Sequence, residues 1–152
     1  MMHDLIRKVF QPPLDNPTLS AGDDAGVVIP QPGVRLAIST DAHVVTPLFF
    51  PGGDMGRLAV CGTVNDVAMM GAEPMYLTAG FILEEGLEVG VLTNVIESMK
   101  EAAEEAGVQI VAGDTKVVER GKADGLYITT AGVGKVMEGR EIGGENARPG
   151  EV

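Results

Sequence analysis

Apolar and polar positions follow a pattern that predicts a sheet whose later strands are separated by helices. Two apolar runs, residues 27–29 and 34–39, flank a Pro/Gly-rich turn at 30–33 and predict a β-hairpin. Three more segments have the composition of strands: 75–83, 108–112 and 126–133. On this reading Asp41 closes the second strand, and Asp114 follows the end of the strand at 108–112.

Two segments have helical spacing. The first begins after Asp54, a residue type that caps helices, and ends at Gly71. Its expected buried stripe is Leu58, Cys61, Val64, Val67 and Ala68. The second covers residues 88–106, with Gly107 as its C-cap. Helices between β segments favour an α+β fold (an α/β sandwich) in which helices pack on one face of a mixed sheet.

The length of 152 residues suits one domain with a core. Residues 1–20 contain several prolines and predict an irregular N-terminal arm. The folded domain is expected over residues 21–137, and the polar, Gly-rich residues 138–152 read as a linker. We therefore expect the chain to be a piece of a longer protein.

Charge, apolar runs and cysteine content argue against several classes of protein. The chain has 22 acidic and 11 basic residues, a net charge of −11, which argues against unassisted nucleic-acid binding. No apolar run approaches the roughly 20 residues of a membrane span. The sequence starts without a secretory pattern and has one cysteine, so the cytoplasm is the expected compartment.

Four acidic residues lie beside glycine or apolar residues, where an unpaired carboxylate is costly: Asp24, Asp41, Asp66 and Asp114. Mg²⁺ is the expected partner, since it binds one or two carboxylates together with substrate phosphates. The residues alone leave alternatives open. For Asp24 a turn or N-cap role is favoured, and for Asp114 a turn role is equally weighted. Asp66 lies on an apolar helix, which favours a functional role.

Other candidate residues also have plainer interpretations. Lys116 is either a phosphate contact or a solvated strand lysine. Core packing is favoured for Cys61 over a nucleophilic role. His43 would share a strand face with Asp41, and a structural or substrate-positioning role is favoured over metal ligation. The common phosphate-binding loop motifs are absent from the sequence, so a nucleotide site must have another design.

Four motifs together resemble the N-terminal half of the aminoimidazole-ribonucleotide synthetase (PurM-like) superfamily: residues 22–27, 39–41, 64–74 and 113–115. The resemblance covers about residues 20–137, with the motifs in the family order. Members include selenophosphate synthetase, thiamine-monophosphate kinase and the HypE family of hydrogenase maturation proteins. Residues 39–54 and 113–118 are most similar to the HypE branch.

The resemblance implies an ATP-binding domain that forms a homodimer through its sheet and holds ATP with Mg²⁺ near the dimer interface. The metal or ATP ligands implied by motif matching are Asp24, Asp41, Asp66 and Asp114. Residues expected to lie close to the nucleotide are Ser39, Thr40, Asn65 and Gly113. Lys116 is the implied catalytic residue, either as the base for an amide nitrogen or as a phosphate contact.

In the HypE branch the implied reaction is ATP-dependent dehydration of a carboxamide on the sulfur of a C-terminal cysteine, which leaves a thiocyanate. This product supplies the cyanide ligand of nickel–iron hydrogenases, and the implied partners are the carbamoyltransferase HypF and the scaffold HypC-HypD. The acceptor cysteine is expected outside these 152 residues. Two alternatives are a phosphotransferase resembling thiamine-monophosphate kinase, and a dimerisation and docking module without activity in this chain.

Overall fold

A five-stranded mixed sheet organises the part of the chain that the structure, a computed structural model, describes: residues 25–146 and 148–150. In chain order the elements are β1 (Gly26–Gln31), β2 (Val34–His43), β3 (Phe49–Phe50), β4 (Gly53–Asp54), α1 (Met55–Met69), β5 (Ala72–Glu84), α2 (Val89–Ala106), β6 (Gln109–Val118) and β7 (Leu126–Val136). A short 3-10 helix, Gly144–Asn146, follows. The sheet order is β1-β2-β7-β5-β6, and only the β5–β6 pair among these neighbours is parallel.

The predicted N-terminal hairpin is confirmed, although its second strand is longer than predicted. β1 and β2 pair antiparallel around a turn that contains Gly33, whose φ of 80° lies in the region that favours glycine. β2 continues beyond Asp41 to His43, because it pairs with β7 along its whole C-terminal part. Asp41 therefore lies inside a strand and does not close it. The predicted arm at residues 1–20 and Asp24 fall outside the described residues.

Helix α1 begins and ends as its sequence predicts. The Asp54 side chain accepts hydrogen bonds from the backbone N–H groups of Gly56 (2.7 Å) and Arg57 (3.2 Å). The Ser98 hydroxyl of α2 donates to the other Asp54 oxygen at 2.5 Å, so the cap also ties the two helices together. Gly71, with φ 66°, follows the helix end.

The predicted buried stripe of α1 is wrong in part. Leu58 and Ala68 are exposed, Cys61 and Val64 are half-buried, and only Val67 is fully buried. The residues that α1 buries completely are Met55, Gly56, Ala59, Val60, Thr63 and Val67. Apolar residues occur nearly all round this helix, so their spacing alone did not identify the side that packs closely. Small residues mark that side.

Helix α2 is confirmed, with Gly107 in the left-handed conformation at its C-cap. The following strand, however, does not stop at Ala112. β6 continues to Val118, so Asp114 and Lys116 lie within the strand and not after it. A parallel pairing with β5 holds this stretch extended, although its Gly-Asp-Thr sequence has the composition of a turn.

Both helices pack on one face of the sheet, here called the helix face, defined by Leu77, Ala79, Leu126 and Ile128. Core side chains from α1 and α2 that pack against it are Met55, Ala59, Val60, Val95 and Met99. The opposite side, here called the open face, carries Ile38, Thr40, Tyr76, Gly80 and Ile82. This arrangement confirms the predicted α+β sandwich.

Glycines on β7 allow α1 to approach the sheet closely. A Cβ atom built on Gly132 would lie 2.6 Å from Thr63 Cγ2, and one on Gly134 would lie 2.6 Å from the Glu73 carbonyl oxygen. These positions have no room for a larger residue, and they fix α1 above β2 and β7. Within the described ranges, no helix is both long enough and apolar enough to span a membrane.

Candidate functional site

Strand β2 presents three polar side chains to α1: Ser39, Asp41 and His43. Alternation along the strand places all three on the helix face. Gly62 of α1 lies directly opposite, since a Cβ atom on it would be 3.0 Å from both Asp41 Oδ2 and His43 Cε1. The absence of a side chain at Gly62 thus leaves the room that the two β2 side chains occupy.

The Asp41 carboxylate accepts a hydrogen bond at one oxygen and lies beside His43 with the other. Oδ1 accepts a hydrogen bond from the backbone N–H of Ala42 at 2.8 Å. Oδ2 lies 3.6 Å from His43 Nε2, which is beyond hydrogen-bond distance. The side chain is 42% exposed, whereas that of His43 is 5% exposed. Asp41 can therefore reach a ligand in solvent while its neighbour stays inside the fold.

A second carboxylate joins this region from α1. The Ser39 hydroxyl donates to Asp66 Oδ2 at 3.0 Å, which links β2 to the helix. Asn65 is exposed beside Asp66. Thr40 points to the open face, and its hydroxyl donates to the Thr130 carbonyl oxygen at 3.1 Å. The structure therefore brings Ser39, Asp41 and Asp66 together on one side of the sheet.

Next to Asp41 lies a group of buried polar side chains, of which the sequence pointed to Ser39 and His43 but indicated no role for Thr63 and Thr130. The buried polar side chains among the described residues are Ser39, His43, Thr63 and Thr130. Thr63 and Thr130 hydroxyl oxygens are 2.6 Å apart, and His43 Nε2 is 3.1 Å from Thr130 Oγ1. Thr130 also donates to the Ala59 carbonyl oxygen at 3.2 Å. The one sequence feature that could have pointed to Thr63 is its position on α1, three residues before the candidate ligand Asp66.

Asp114 and Lys116 lie elsewhere. Their cross-strand neighbours on β5 are Gly80 and Ile82, which places both side chains on the open face of β6. β6 is separated from β2 by β5 and β7, so Asp114 is about 14 Å or more from Asp41, on the other side of the sheet. Within one chain, the structure does not bring the four acidic motifs to one point.

Gly113 occupies an intermediate position. The register links it through Ala79 and Thr130 to Asp41, so the two residues share one row across the sheet. A Cβ on Gly113 would lie 3.0 Å from the Ala79 carbonyl oxygen. Asp114 repeats one feature of Asp41: its Oδ1 accepts from the backbone N–H of the next residue, Thr115, at 2.9 Å. Both carboxylates are thereby oriented by their own strand.

The donor set determines which metal could bind. Among residues 25–146 and 148–150, no three His, Cys, Asp or Glu side chains cluster closely enough to hold a metal ion. A site made of protein ligands alone is therefore not formed by these residues. Asp41 and Asp66 lie on the same side of the sheet, and carboxylates are the ligand type of Mg²⁺, which takes few protein ligands and completes its shell with phosphates and water.

This fold and these motifs define the class of protein. The model of the AIR synthase related protein family, N-terminal domain, matches residues 22–136. The chain belongs to this family.

Comparison with individual proteins narrows the resemblance to HypE. The carbamoyl dehydratase HypE of Cupriavidus necator is 56% identical over 148 residues, which are 97% of this chain and 42% of that protein. A crystal structure of a HypE–HypF complex superposes with a TM-score of 0.90 at 52% identity, covering 96% of this chain and 47% of that one. A crystal structure of HypE in complex with ATP superposes with a TM-score of 0.75 at 52% identity, covering 98% of this chain and 44% of that one. The resemblance to HypE is confirmed.

Thiamine monophosphate kinase from Aquifex aeolicus is a more distant neighbour. It is 17% identical with a TM-score of 0.65, covering 86% of this chain and 41% of that one. At this identity the likeness concerns the fold alone. The chain spans less than half the length of the curated relatives quoted above.

Proposed function

We propose that the chain is the ATP-binding part of a carbamoyl dehydratase that acts in hydrogenase maturation. The observation that carries this proposal is the 56% identity to a protein of that name over 97% of the chain. The placement of Asp41 and Asp66 on the same side of the sheet supports it, because Asp66 is bonded to Ser39 two residues before Asp41 on the same strand face, and carboxylates suit the metal of a nucleotide. The implied reaction is dehydration of a cysteine S-carboxamide to a thiocyanate.

In this proposal Asp41 and Asp66 hold Mg²⁺ with ATP, and Asp24 adds a further carboxylate. Ser39 orients Asp66 by its hydrogen bond. Asn65 is exposed beside Asp66, and Thr40 and Gly113 lie in or next to the row of Asp41. Bound ATP and Mg²⁺ would supply an activated phosphoryl group whose charge the metal neutralises. The protein's part is to place carboxylates and amides where that group binds.

We further propose that a homodimer completes the site. The open face carries small side chains and exposed apolar ones, including Ile38 (43%), Tyr76 (43%) and Ile82 (40%). Such a face is suited to a second copy of the chain. Asp114 and Lys116 lie on it and are exposed, so they would face the partner. Because the sheet separates this face from Asp41 and Asp66, a nucleotide held by those carboxylates would have to extend round the edge of the sheet to reach Asp114 and Lys116 of the partner. Lys116 would there contact phosphate or act as the base.

The remaining assignments concern the whole protein. The domain at residues 21–137 would be followed by a linker at 138–152 and a second domain. A HypE relative has been crystallised with HypF, which supports HypF as a partner; HypC-HypD is proposed on the resemblance alone. The proposed compartment is the cytoplasm, in keeping with the single cysteine.

Calorimetric titration with ATP, in the presence and absence of Mg²⁺, tests the proposal. We expect Mg²⁺ to strengthen ATP binding, and Asp41→Asn or Asp66→Asn to remove about tenfold or more of that gain. Glu97→Gln, an exposed change on α2, is the matched control and should bind normally. Equal ATP affinity with and without Mg²⁺ would contradict the metal assignment.

The same titration separates the alternatives. A chain that forms dimers in sedimentation but binds no ATP would fit a docking module. The phosphotransferase alternative rests on a likeness of fold, and added thiamine phosphate would be phosphorylated if it were correct.

A further inference from the structure

The buried polar group beneath Asp41 is organised around Thr130. Its side chain is 1% exposed, and Thr63 opposite is fully buried. Three groups surround the Thr130 hydroxyl: Thr63 Oγ1 at 2.6 Å, His43 Nε2 at 3.1 Å and the Ala59 carbonyl oxygen at 3.2 Å. Polar side chains in a core are costly unless hydrogen bonded, and here each one is.

The number of protons on the Thr130 hydroxyl sets the direction of these bonds. A hydroxyl donates once and can accept twice. Because Thr130 donates to the Ala59 carbonyl, it accepts from Thr63 and from His43. His43 Nε2 therefore carries a hydrogen. That hydrogen is directed at Thr130 and fixes the ring, and the same nitrogen lies 3.6 Å from Asp41 Oδ2, so the ring edge borders the carboxylate without a hydrogen bond to it.

Other neighbours restrict the Asp41 carboxylate on the sides that face the protein, while the side chain stays 42% exposed to solvent. Oδ1 is fixed by the Ala42 N–H, and Gly62 of α1 leaves just enough space beside Oδ2. The His43 ring fills the gap between this oxygen and Thr130. Rotation of the carboxylate would lose the Ala42 bond or bring Oδ2 against the ring or the helix.

We propose that His43, anchored by Thr130 and Thr63, is a positioning residue that holds the Asp41 carboxylate in the orientation needed to bind the divalent cation of a nucleotide. This inference rests on the proposed function, because Asp41 must be a ligand for its orientation to matter. His43 itself does not contact the cation. Groups that orient a metal ligand in this way typically contribute about 10–100-fold to metal affinity.

The test is the gain in ATP affinity that Mg²⁺ produces, measured with the 152-residue chain. His43→Phe keeps a ring but removes the N–H, and Thr130→Val keeps the shape but removes the anchor. Each is expected to reduce the Mg²⁺-dependent gain by about tenfold, with metal-free ATP affinity unchanged. Thr130→Ser, which retains the hydroxyl, should restore the gain. Thr93→Val changes an exposed residue of α2 and is the control.

A purely structural role would lower the melting temperature and both affinities together, and the melting temperature of each variant is measured for that reason. The inference would be overturned if Mg²⁺ strengthened ATP binding in His43→Phe as much as in the wild type, while Asp41→Asn lost that increase. The proposed function would then still stand. No Mg²⁺-dependent gain in the wild-type chain would overturn both.

Discussion

The two faces of the sheet carry the acidic motifs in different surroundings. On the helix face, Asp41 and Asp66 are half-buried: Asp66 accepts a hydrogen bond from the buried Ser39, and Asp41 borders the buried His43. On the open face, Asp114 and Lys116 are exposed, and the neighbouring strand presents Gly80 and Ile82. The polar residues of the helix face are therefore fixed by the core of their own chain, whereas those of the open face have exposed surroundings.

The largest expected difference between the faces is in stability. Gly134→Ala would place a Cβ against Val67 and the Glu73 backbone, and backbone cannot move aside cheaply. We expect a loss of about 3 kcal/mol in the free energy of unfolding. Gly80→Ala meets only the Thr129 carbonyl, at 3.8 Å, and should stay within about 0.5 kcal/mol. Urea denaturation measures both, and equal losses would contradict the close packing of α1.

A smaller effect is expected from removing one buried hydroxyl. Thr63→Val removes the 2.6 Å hydrogen bond to the buried Thr130 hydroxyl, which keeps its contacts with His43 and Ala59, and the change should cost about 1 kcal/mol. Thr93→Val removes an exposed hydroxyl that bonds only to the Val89 carbonyl, and should cost far less. Thermal denaturation of the two variants compares them. If Thr63→Val were as stable as Thr93→Val, the buried group would not support the site.

The smallest effect concerns Glu84, at the C-terminal end of β5. Its oxygens accept from the backbone N–H groups of Gly121 (2.5 Å) and Gly125 (2.9 Å), which lowers its pKa below the ordinary 4.5. The ionised form is favoured in the folded state, so the stabilisation is present above the unfolded pKa. It is lost as the pH falls through the folded pKa.

Glu84→Gln should therefore be slightly less stable than the wild type at neutral pH. The difference should shrink as the pH drops below about 4.5, the ordinary value for this group. Glu85→Gln, an exposed neighbour, provides the control. Denaturation midpoints across pH 3–7 give the comparison, and a constant difference across that range would show that the two backbone bonds do not depend on the Glu84 charge.

Much of the local structure could be predicted because it is determined by nearby residues. Asp54 caps α1 through groups two and three positions away, and Gly107 ends α2 through its own backbone conformation. The shared face of Asp41 and His43 followed from strand alternation. In each case the residues that determine the structure are close together in the sequence.

The arrangement of the site could not be predicted in the same way. Thr63 and Thr130 are 67 positions apart and meet only because α1 packs over β7. Likewise, Asp114 lies in a Gly-Asp-Thr segment with turn composition, yet pairing with β5 keeps it in a strand. The sequence shows the order of the four acidic residues along the chain. Which of them lie close together depends on the strand order and on the face of the sheet that each one occupies.

The central claim is that one site takes Asp41 and Asp66 from one copy of the chain and Asp114 from the other. The direct measurement is Mg²⁺-ATP binding by a mixed dimer of Asp41→Asn and Asp114→Asn chains, purified through a different tag on each chain. In a two-fold symmetric dimer one site then carries both changes and the other carries neither, so we predict about half the wild-type capacity at wild-type affinity. A mixed dimer that binds as weakly as either parent would contradict the account.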